Sequence, residues 1–408
     1  MHCLAAWCTI ARAAAGAAMQ QEPILARVGE ILTPEAIAAI NRPTAEAVCL
    51  PNAAYTSPEF LEAERTALFR ERWAFAALGA QVPARGDALP VTVSGLPLLI
   101  LRDQQGAIRA FHNVCRHRGM QLVTEPQKRR PKLVCRYHSW TYELDGSLAL
   151  TPCFSGPEDH SSPGIDRSRM GLDPVRAEVW NDLVFVNLAG NAAPLADYLQ
   201  PLAKRWANYD LAQLRHGYSC QFDLNANWKL AVENFLESYH LPFAHPTLNA
   251  TSRMEAHLSA VEDLFLGQVS TAYDPGTAGH ADLPRFPGLT EAEQKIADYP
   301  TLLPNLMFGL HPDYLFLFSV EPIAPEQTKE TFHFYFVSER ALASDLASSR
   351  DKVVELWRKT NLEDIGVVEG MQVGRRSPGY HDGRFSPYHE VTTHEFQRRV
   401  ANALANRA

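Results

Sequence analysis

The chain has 408 residues, 46% of them hydrophobic and 21% charged, with 38 Lys+Arg against 46 Asp+Glu. That length exceeds one ordinary domain, and the composition excludes collagen-like, disordered and disulfide-scaffold proteins. A net charge of −8 and the lack of a bilayer-length apolar run exclude nucleic acid and membrane as expected partners.

The opening MHCLAAWCTIARAAAGAAMQQ has no positively charged start, and Arg12 cuts its apolar stretch short. It reads as a poorly ordered extension, or as the product of an early start codon with Met19 the true start, rather than as an export signal. Seven cysteines, an odd number at low density, point to reduced thiols and a cytoplasmic location. Residues 34–74 read as helical, with Ser57 as N-cap, Pro58 at the first helical position, and Phe60, Leu61, Leu68 and Trp73 as apolar anchors. From about residue 86 the pattern becomes short β runs. VTVSGLPLLILRDQQGAIRAFHNV holds two or three strands, YELDGSLAL a hairpin turning at Asp145-Gly146, and EVWNDLVFVNL closes this β-rich region. Helical stretches follow near 194–212 and 227–241, strands near 314–322 and 330–338, and a long helix over about 342–373. The expected class is α+β, with a β-rich insert in a mixed chain.

Cys115-Arg-His117 and Cys135-Arg-Tyr-His138 stand seventeen residues apart. Two thiolates and two imidazoles on two loops suit either a tetrahedral zinc or a two-iron cluster of the Rieske type. Each loop contributes one Cys and one His, unlike a zinc finger with its paired cysteines and paired histidines, which favours the two-iron cluster. Residues 227–248, NWKLAVENFLESYHLPFAHPTL, hold a second set: Glu233, Asn234, Glu237, His240 and His245. On a helix Glu237 and His240 share a face. His240 and His245 would point about 140° apart on an unbroken helix, so both meet one ion only if the helix deforms, and Pro242 provides for that. Two imidazoles and a carboxylate make the facial triad of a non-haem Fe(II) oxygenase. In LWRKTNLEDIGVVEGMQVGRRS, Asp364 shares a largely apolar stripe with Trp357, Asn361, Val368 and Met371. Glu369 shares its stripe with Arg358, Leu362 and Gln372 and reads as solvated. Asp364 is the expected ligand, with Glu363 the alternative.

CRHRG (115–119), CRYHSWTYELDG (135–146) and ENFLESYHLPFAHP (233–246) make the chain resemble the catalytic α subunits of Rieske non-haem iron oxygenases, the ring-hydroxylating oxygenases, over roughly residues 45–400. The resemblance implies a Rieske β-sandwich-like domain inserted in a helix-grip catalytic domain, an antiparallel sheet covered by helices. The expected division is an N-terminal extension over 1–40, a helical segment over 41–75 packing on the catalytic domain, the Rieske domain over 76–190, and the catalytic domain with mononuclear iron over 191–408. It further implies Cys115, His117, Cys135 and His138 as ligands of a 2Fe-2S cluster, and His240, His245 and Asp364 as ligands of mononuclear Fe(II). Glu237 falls where the family has its bridging acid, usually Asp, which joins the mononuclear site to a Rieske histidine, here His138, of the neighbouring subunit. Asn234 and Phe235 match positions near the substrate. Family members commonly form head-to-tail homotrimers.

Such a chain would take O2 and a small organic substrate and hydroxylate it by mono- or dioxygenation. No GxGxxG fingerprint for a dinucleotide is present, so electrons from NAD(P)H must come through a separate reductase, either directly or by way of a ferredoxin. Lys128-Arg129-Arg130-Pro131-Lys132 reads as a solvated loop, with steering of an acidic redox partner as the alternative. In LMFGLHPDYLFLFSVEP, His311, Tyr314, Phe316 and Phe318 offer rings of which half should face inward. Aromatic faces suit a flat ring or a quaternary ammonium. PNLMFGLHPDY is similar to the branch of betaine- and choline-type oxygenases, so oxidative N-demethylation of a betaine-like substrate stays open. Two further readings are a non-catalytic Rieske electron-transfer protein and a zinc-stabilised ligand-binding protein.

Overall fold

The computed structural model describes residues 23–276 and 279–406. The Ala-rich opening and Met19 lie outside the described residues. The described residues form two compact units, one comprising residues 69–212 with 303–306, the other comprising the described residues before 69, from 213 to 302 and from 307 onward. No helix among the described residues is long and apolar enough to cross a membrane.

In the smaller unit the strands are β1 (Ala74–Leu78), β2 (Ala88–Val93), β3 (Leu96–Arg102), β4 (Ile108–His112), β5 (Leu133–Val134), β6 (Thr141–Tyr142), β7 (Leu148–Leu150), β8 (Pro174–Trp180) and β9 (Leu183–Asn187). They make a six-stranded sheet in the order β1-β9-β8-β4-β3-β2 and a three-stranded sheet β5-β6-β7. The β-rich insert of the sequence reading is thus two sheets, with VTVSGLPLLILRDQQGAIRAFHNV giving three strands. Leu99, Leu101, Phe111, Leu133, Tyr142 and Leu148 join Cys115 and Cys135 in one buried cluster. The β6–β7 turn demands its glycine. Gly146 has φ +90°, and a Cβ there would come 2.4 Å from the Phe111 ring. The basic run is tied down on its flanks: Lys128 Nζ donates to Gln81 O at 2.9 Å and Lys132 Nζ to Glu143 Oε1 at 2.6 Å.

The larger unit is built on β10 (Leu214–Leu224), β11 (His257–Val261), β12 (Phe265–Ser270), β13 (Ala297–Leu302), β14 (Leu306–Leu310), β15 (Tyr314–Ala324) and β16 (Gln327–Val337). They form one sheet in the order β10-β16-β15-β14-β13-β12-β11. The long helix Ala347–Arg375 presents Trp357 to this sheet, with its ring centroid 4.3 Å from that of Phe316. His311, Tyr314, Phe316 and Phe318 are all buried: the last three alternate along β15 and so share one face, and His311 precedes the strand with its ring stacked on Tyr314. The N-terminal helices are held to the same unit by buried polar contacts. Ser57 caps Pro58–Glu64 by accepting from Phe60 N, and Glu64 pairs with Lys229 at 2.7 Å while accepting from Trp228 Nε1.

The long helix departs from the expected stripes at two positions. Met371 is exposed, whereas Gln372 is fully buried and accepts from Asn227 N at 2.9 Å. A 29-residue helix meets different neighbours along its length, so one stripe does not stay inward throughout.

Candidate active site

Two loops of the smaller unit carry the first ligand set, and their backbones repeat one another. Cys115 N donates to Met120 O at 2.8 Å and Gly119 N to Cys115 O at 3.0 Å. In the second loop Cys135 N donates to Trp140 O at 2.8 Å and Ser139 N to Cys135 O at 2.8 Å. Gly119 and Ser139, each four residues after its cysteine, both adopt positive φ, 73° and 56°. The repeat brings the cysteines inward and the histidines outward. Cys115 and Cys135 are buried, His117 is half-buried and His138 is exposed, with the two imidazole centroids 4.7 Å apart. His117 stacks on Trp140 at 4.7 Å, and Tyr142 Oη lies 3.3 Å from Cys115 Sγ while accepting from Arg116 N. Burial pushes the Cys115 thiol up, and the adjacent Cys135 adds to the shift. A positively charged metal centre between these loops would offset that cost. Two buried thiols beside two solvent-side imidazoles fit a 2Fe-2S cluster bound by one iron to sulfur and by the other to nitrogen.

The second set lies in the larger unit. Helix Trp228–Phe235 ends well before the first histidine, and residues 236–240 turn before a short helix, Leu241–Ala244, begins. The break falls N-terminal to Pro242, because proline fits the first turn of a new helix and does not interrupt it there. His240 and His245 cap the two ends of that short helix. Their Nε2 atoms lie 3.7 Å and 2.8 Å from the same oxygen, Asp364 Oδ1, on the long helix. One donor atom from each of the three lies within 4.8 Å of the others. Two imidazole nitrogens and a carboxylate oxygen converging beside a cavity fit a facial-triad Fe(II).

Other groups hold these three in place. Glu237 Oε1 is 2.5 Å from His240 Nδ1, and the Glu237 carboxylate also accepts from Tyr239 N and His240 N. Glu237 and His240 therefore meet across a turn and not on a helix face. Glu363 Oε2 is 2.8 Å from His245 Nδ1, behind the ring, while Asp364 faces its Nε2. Burial lowers the His245 pKa, but bonds from Asp364 and then Glu363 outweigh it and raise the value overall. Asn234 Nδ2 donates to Asp364 Oδ1 at 2.6 Å. Glu233 is directed elsewhere: its Oε1 accepts from Tyr55 Oη at 2.6 Å. Glu369 accepts from Asn225 N and Nδ2, both at 2.9 Å, away from the histidines.

The cavity over these residues is walled by aromatic rings, among them Phe235, Tyr299, Phe316, Phe318, Phe332 and Trp357. Phe318 stacks on Phe332 at 4.5 Å, and Phe235 approaches Phe318 at 6.0 Å. Tyr299, Phe332 and Glu330 lie outside the residues expected from the sequence. Glu330 was detectable, since it occupies an inward position of β16 in register with Phe332, Phe334 and Phe336, where a charge is out of place.

Residues 211–406 match the family described as ring hydroxylating alpha subunit (catalytic domain), and residues 72–161 match the Rieske [2Fe-2S] domain. The carnitine monooxygenase oxygenase subunit of Acinetobacter pittii is 30% identical over 336 residues, covering 81% of this chain and 86% of its own. The chain belongs to the ring-hydroxylating Rieske oxygenases. The glycine betaine monooxygenase oxygenase subunit of Chromohalobacter salexigens is 28% identical over 395 residues, 88% of this chain and 86% of its own. A quaternary ammonium Rieske monooxygenase crystallised with its substrate L-carnitine superposes with a TM-score of 0.75 at 26% identity, covering 90% of this chain and 98% of that one. The Rieske match decides for a 2Fe-2S cluster over zinc, and the catalytic domain excludes a protein that only transfers electrons. The protein is therefore an oxidoreductase of the oxygenase class, carrying a Rieske cluster and mononuclear iron and acting with O2 on a small organic substrate.

Proposed function

We propose that this oxygenase hydroxylates a small quaternary ammonium compound. In this reading Cys115, His117, Cys135 and His138 hold the cluster, and His240, His245 and Asp364 hold the Fe(II). The observation that carries it is the juxtaposition of that triad with a cavity walled by aromatic faces, which attract a desolvated cation. The names of the relatives above, acting on carnitine and glycine betaine, support the same class.

When bound, the cluster delivers electrons singly and the mononuclear iron activates O2 beside the substrate. The chain's own groups prepare the place. Glu237 accepts the Nδ1–H of His240 and Glu363 that of His245, which leaves each Nε2 lone pair directed at the metal position. Asn234 holds Asp364 Oδ1 in one orientation. The packed rings of Phe235, Phe316, Phe318 and Phe332 exclude water from the reacting carbon.

Electrons would come from a separate NAD(P)H-dependent reductase, directly or through a ferredoxin. In a homotrimer, exposed His138 would face the Glu237 side of the neighbouring subunit's catalytic domain, and its solvent-side position supports that route. A cytoplasmic location and the division into residues 1–40, 41–75, 76–190 and 191–408 belong to the same proposal. The test is a substrate panel with a surrogate reductase, following O2 uptake and product mass. Hydroxylation on carbon adds one oxygen to the substrate. Oxidation of an N-methyl group instead releases formaldehyde and the demethylated amine. Uptake coupled only to neutral aromatic compounds would overturn the quaternary ammonium reading.

A further inference from the structure

The cavity contains one charged side chain that neither ligand set explains. Glu330 is 3% exposed on β16, and its Oε2 accepts from Asn361 Nδ2 at 2.9 Å. Asn361 lies one helical turn before Asp364 on the long helix. That bond engages one carboxylate oxygen, and the side chain lines the cavity beside Phe318, Phe332 and Trp357. A carboxylate so placed is costly unless a positive charge reaches it. Burial pushes Glu330 up to about 7, the Asn361 amide opposes that, and the nearby Asp364 and Glu369 carboxylates add to it.

The remaining lining says what that positive charge is attached to. No lysine or arginine among the described residues lines the cavity. The amides of Asn234 and Asn361 already donate to carboxylates, and Gln268 Nε2 donates to Phe235 O at 3.1 Å. His257 is held between Ser252 Oγ at 2.8 Å and Gln268 Oε1 at 2.7 Å, and burial lowers its pKa, which disfavours its cationic form. Away from the iron position, a cation thus meets a carboxylate and aromatic faces, whereas a substrate carboxylate meets no cationic side chain among the described lining residues and the repulsion of Glu330.

We propose that Glu330 is the counter-ion of the substrate and makes the site select a quaternary ammonium of net positive charge, an alkyl- or hydroxyalkyl-trimethylammonium, over a carboxylate-bearing zwitterion. This rests on the quaternary ammonium reading above and narrows it.

The test is calorimetric titration of the iron-loaded holoenzyme with choline, glycine betaine and 3,3-dimethylbutan-1-ol, the uncharged isostere of choline. Choline should bind at least about tenfold tighter than either of the others, a gap of about 1.4 kcal/mol. Glu330→Gln should weaken choline by about tenfold or more and leave 3,3-dimethylbutan-1-ol within about twofold. Glycine betaine binding as tightly as choline, with the neutral isostere weak, would overturn the role of Glu330 while the quaternary ammonium reading stands. The neutral isostere matching choline would overturn both. Equal weakening of choline and its isostere in Glu330→Gln would mark Glu330 as structural only. Should the variant not fold, the three wild-type affinities still decide.

Discussion

Glu237 Oε1 lies 2.5 Å from His240 Nδ1, and the same carboxylate receives the backbone amides of Tyr239 and His240. One acid therefore fixes the turn, the ring and its tautomer together. The turn at 236–240 keeps the Glu237 carboxylate on the Nδ1 side of His240, while Nε2 faces Asp364.

Glu237→Gln keeps an acceptor for the imidazole N–H but removes the charge. Both metal sites should remain filled and the cluster reducible, while turnover falls by about 10- to 100-fold or more. Single-turnover reoxidation of the pre-reduced cluster, with O2 and substrate present, measures this. A rate equal to wild type would remove Glu237 from the electron path.

The three acids of the long helix should behave differently. Asp364→Ala should lose the mononuclear iron, because its Oδ1 is the oxygen that both histidine Nε2 atoms approach. Glu363→Gln should retain iron with affinity reduced by about 10- to 100-fold, since Glu363 touches only the far nitrogen of His245. Glu369→Ala should leave iron unchanged. Iron analysis after gel filtration at graded chelator concentrations separates the three, and loss in Glu363→Gln with retention in Asp364→Ala would exchange the two assignments.

The two centres should be separable by mutation. Wild type should hold about three irons per chain, two with acid-labile sulfide and one without. Cys135→Ala should lose the visible absorption of the cluster and keep one iron, and His240→Ala should keep the absorption and two irons. A red-brown Cys135→Ala protein would show that these loops do not hold the cluster.

His333 gives a pH dependence independent of either metal. Burial, with His216 adding charge repulsion, lowers it to about 4, while Ser219 Oγ lies 2.7 Å from its Nδ1. Between pH 6.5 and pH 4 the unfolded chain takes up a proton that the folded chain refuses, so stability is intact above pH 6.5 and falls with pH through that window. The loss should reach roughly 1–3 kcal/mol. Urea unfolding at pH 7 and pH 5 should show a smaller pH effect in His333→Gln than in wild type. An equal effect in both would place the acid sensitivity elsewhere.

Much of the chemistry is legible in the sequence alone. Metal ligation admits few residue types, and the loops CRH and CRYH and the pair His240 and His245 announce themselves by type and spacing. The strands at 314–322 and 330–338 were legible because their alternation and turn residues are local. Ser57 as a cap and Pro58 at the helix start were legible for the same reason.

Other features depended on how elements are rotated against each other. Glu363 and Asp364 differ by about 100° in azimuth, so only the seating of the long helix on the sheet decides which faces the His245 Nε2. Glu233 shares the motif of the histidines but turns to Tyr55, a partner 178 positions away in the chain. Glu330 joins the cavity because β16 lies beneath Asn361 of the long helix, a contact that no local pattern encodes. Local spacing determined which atoms could bind a metal. Long-range packing decided which of them meet, and which charge is left facing the substrate, because burial and distance belong to the assembled fold and not to any one segment.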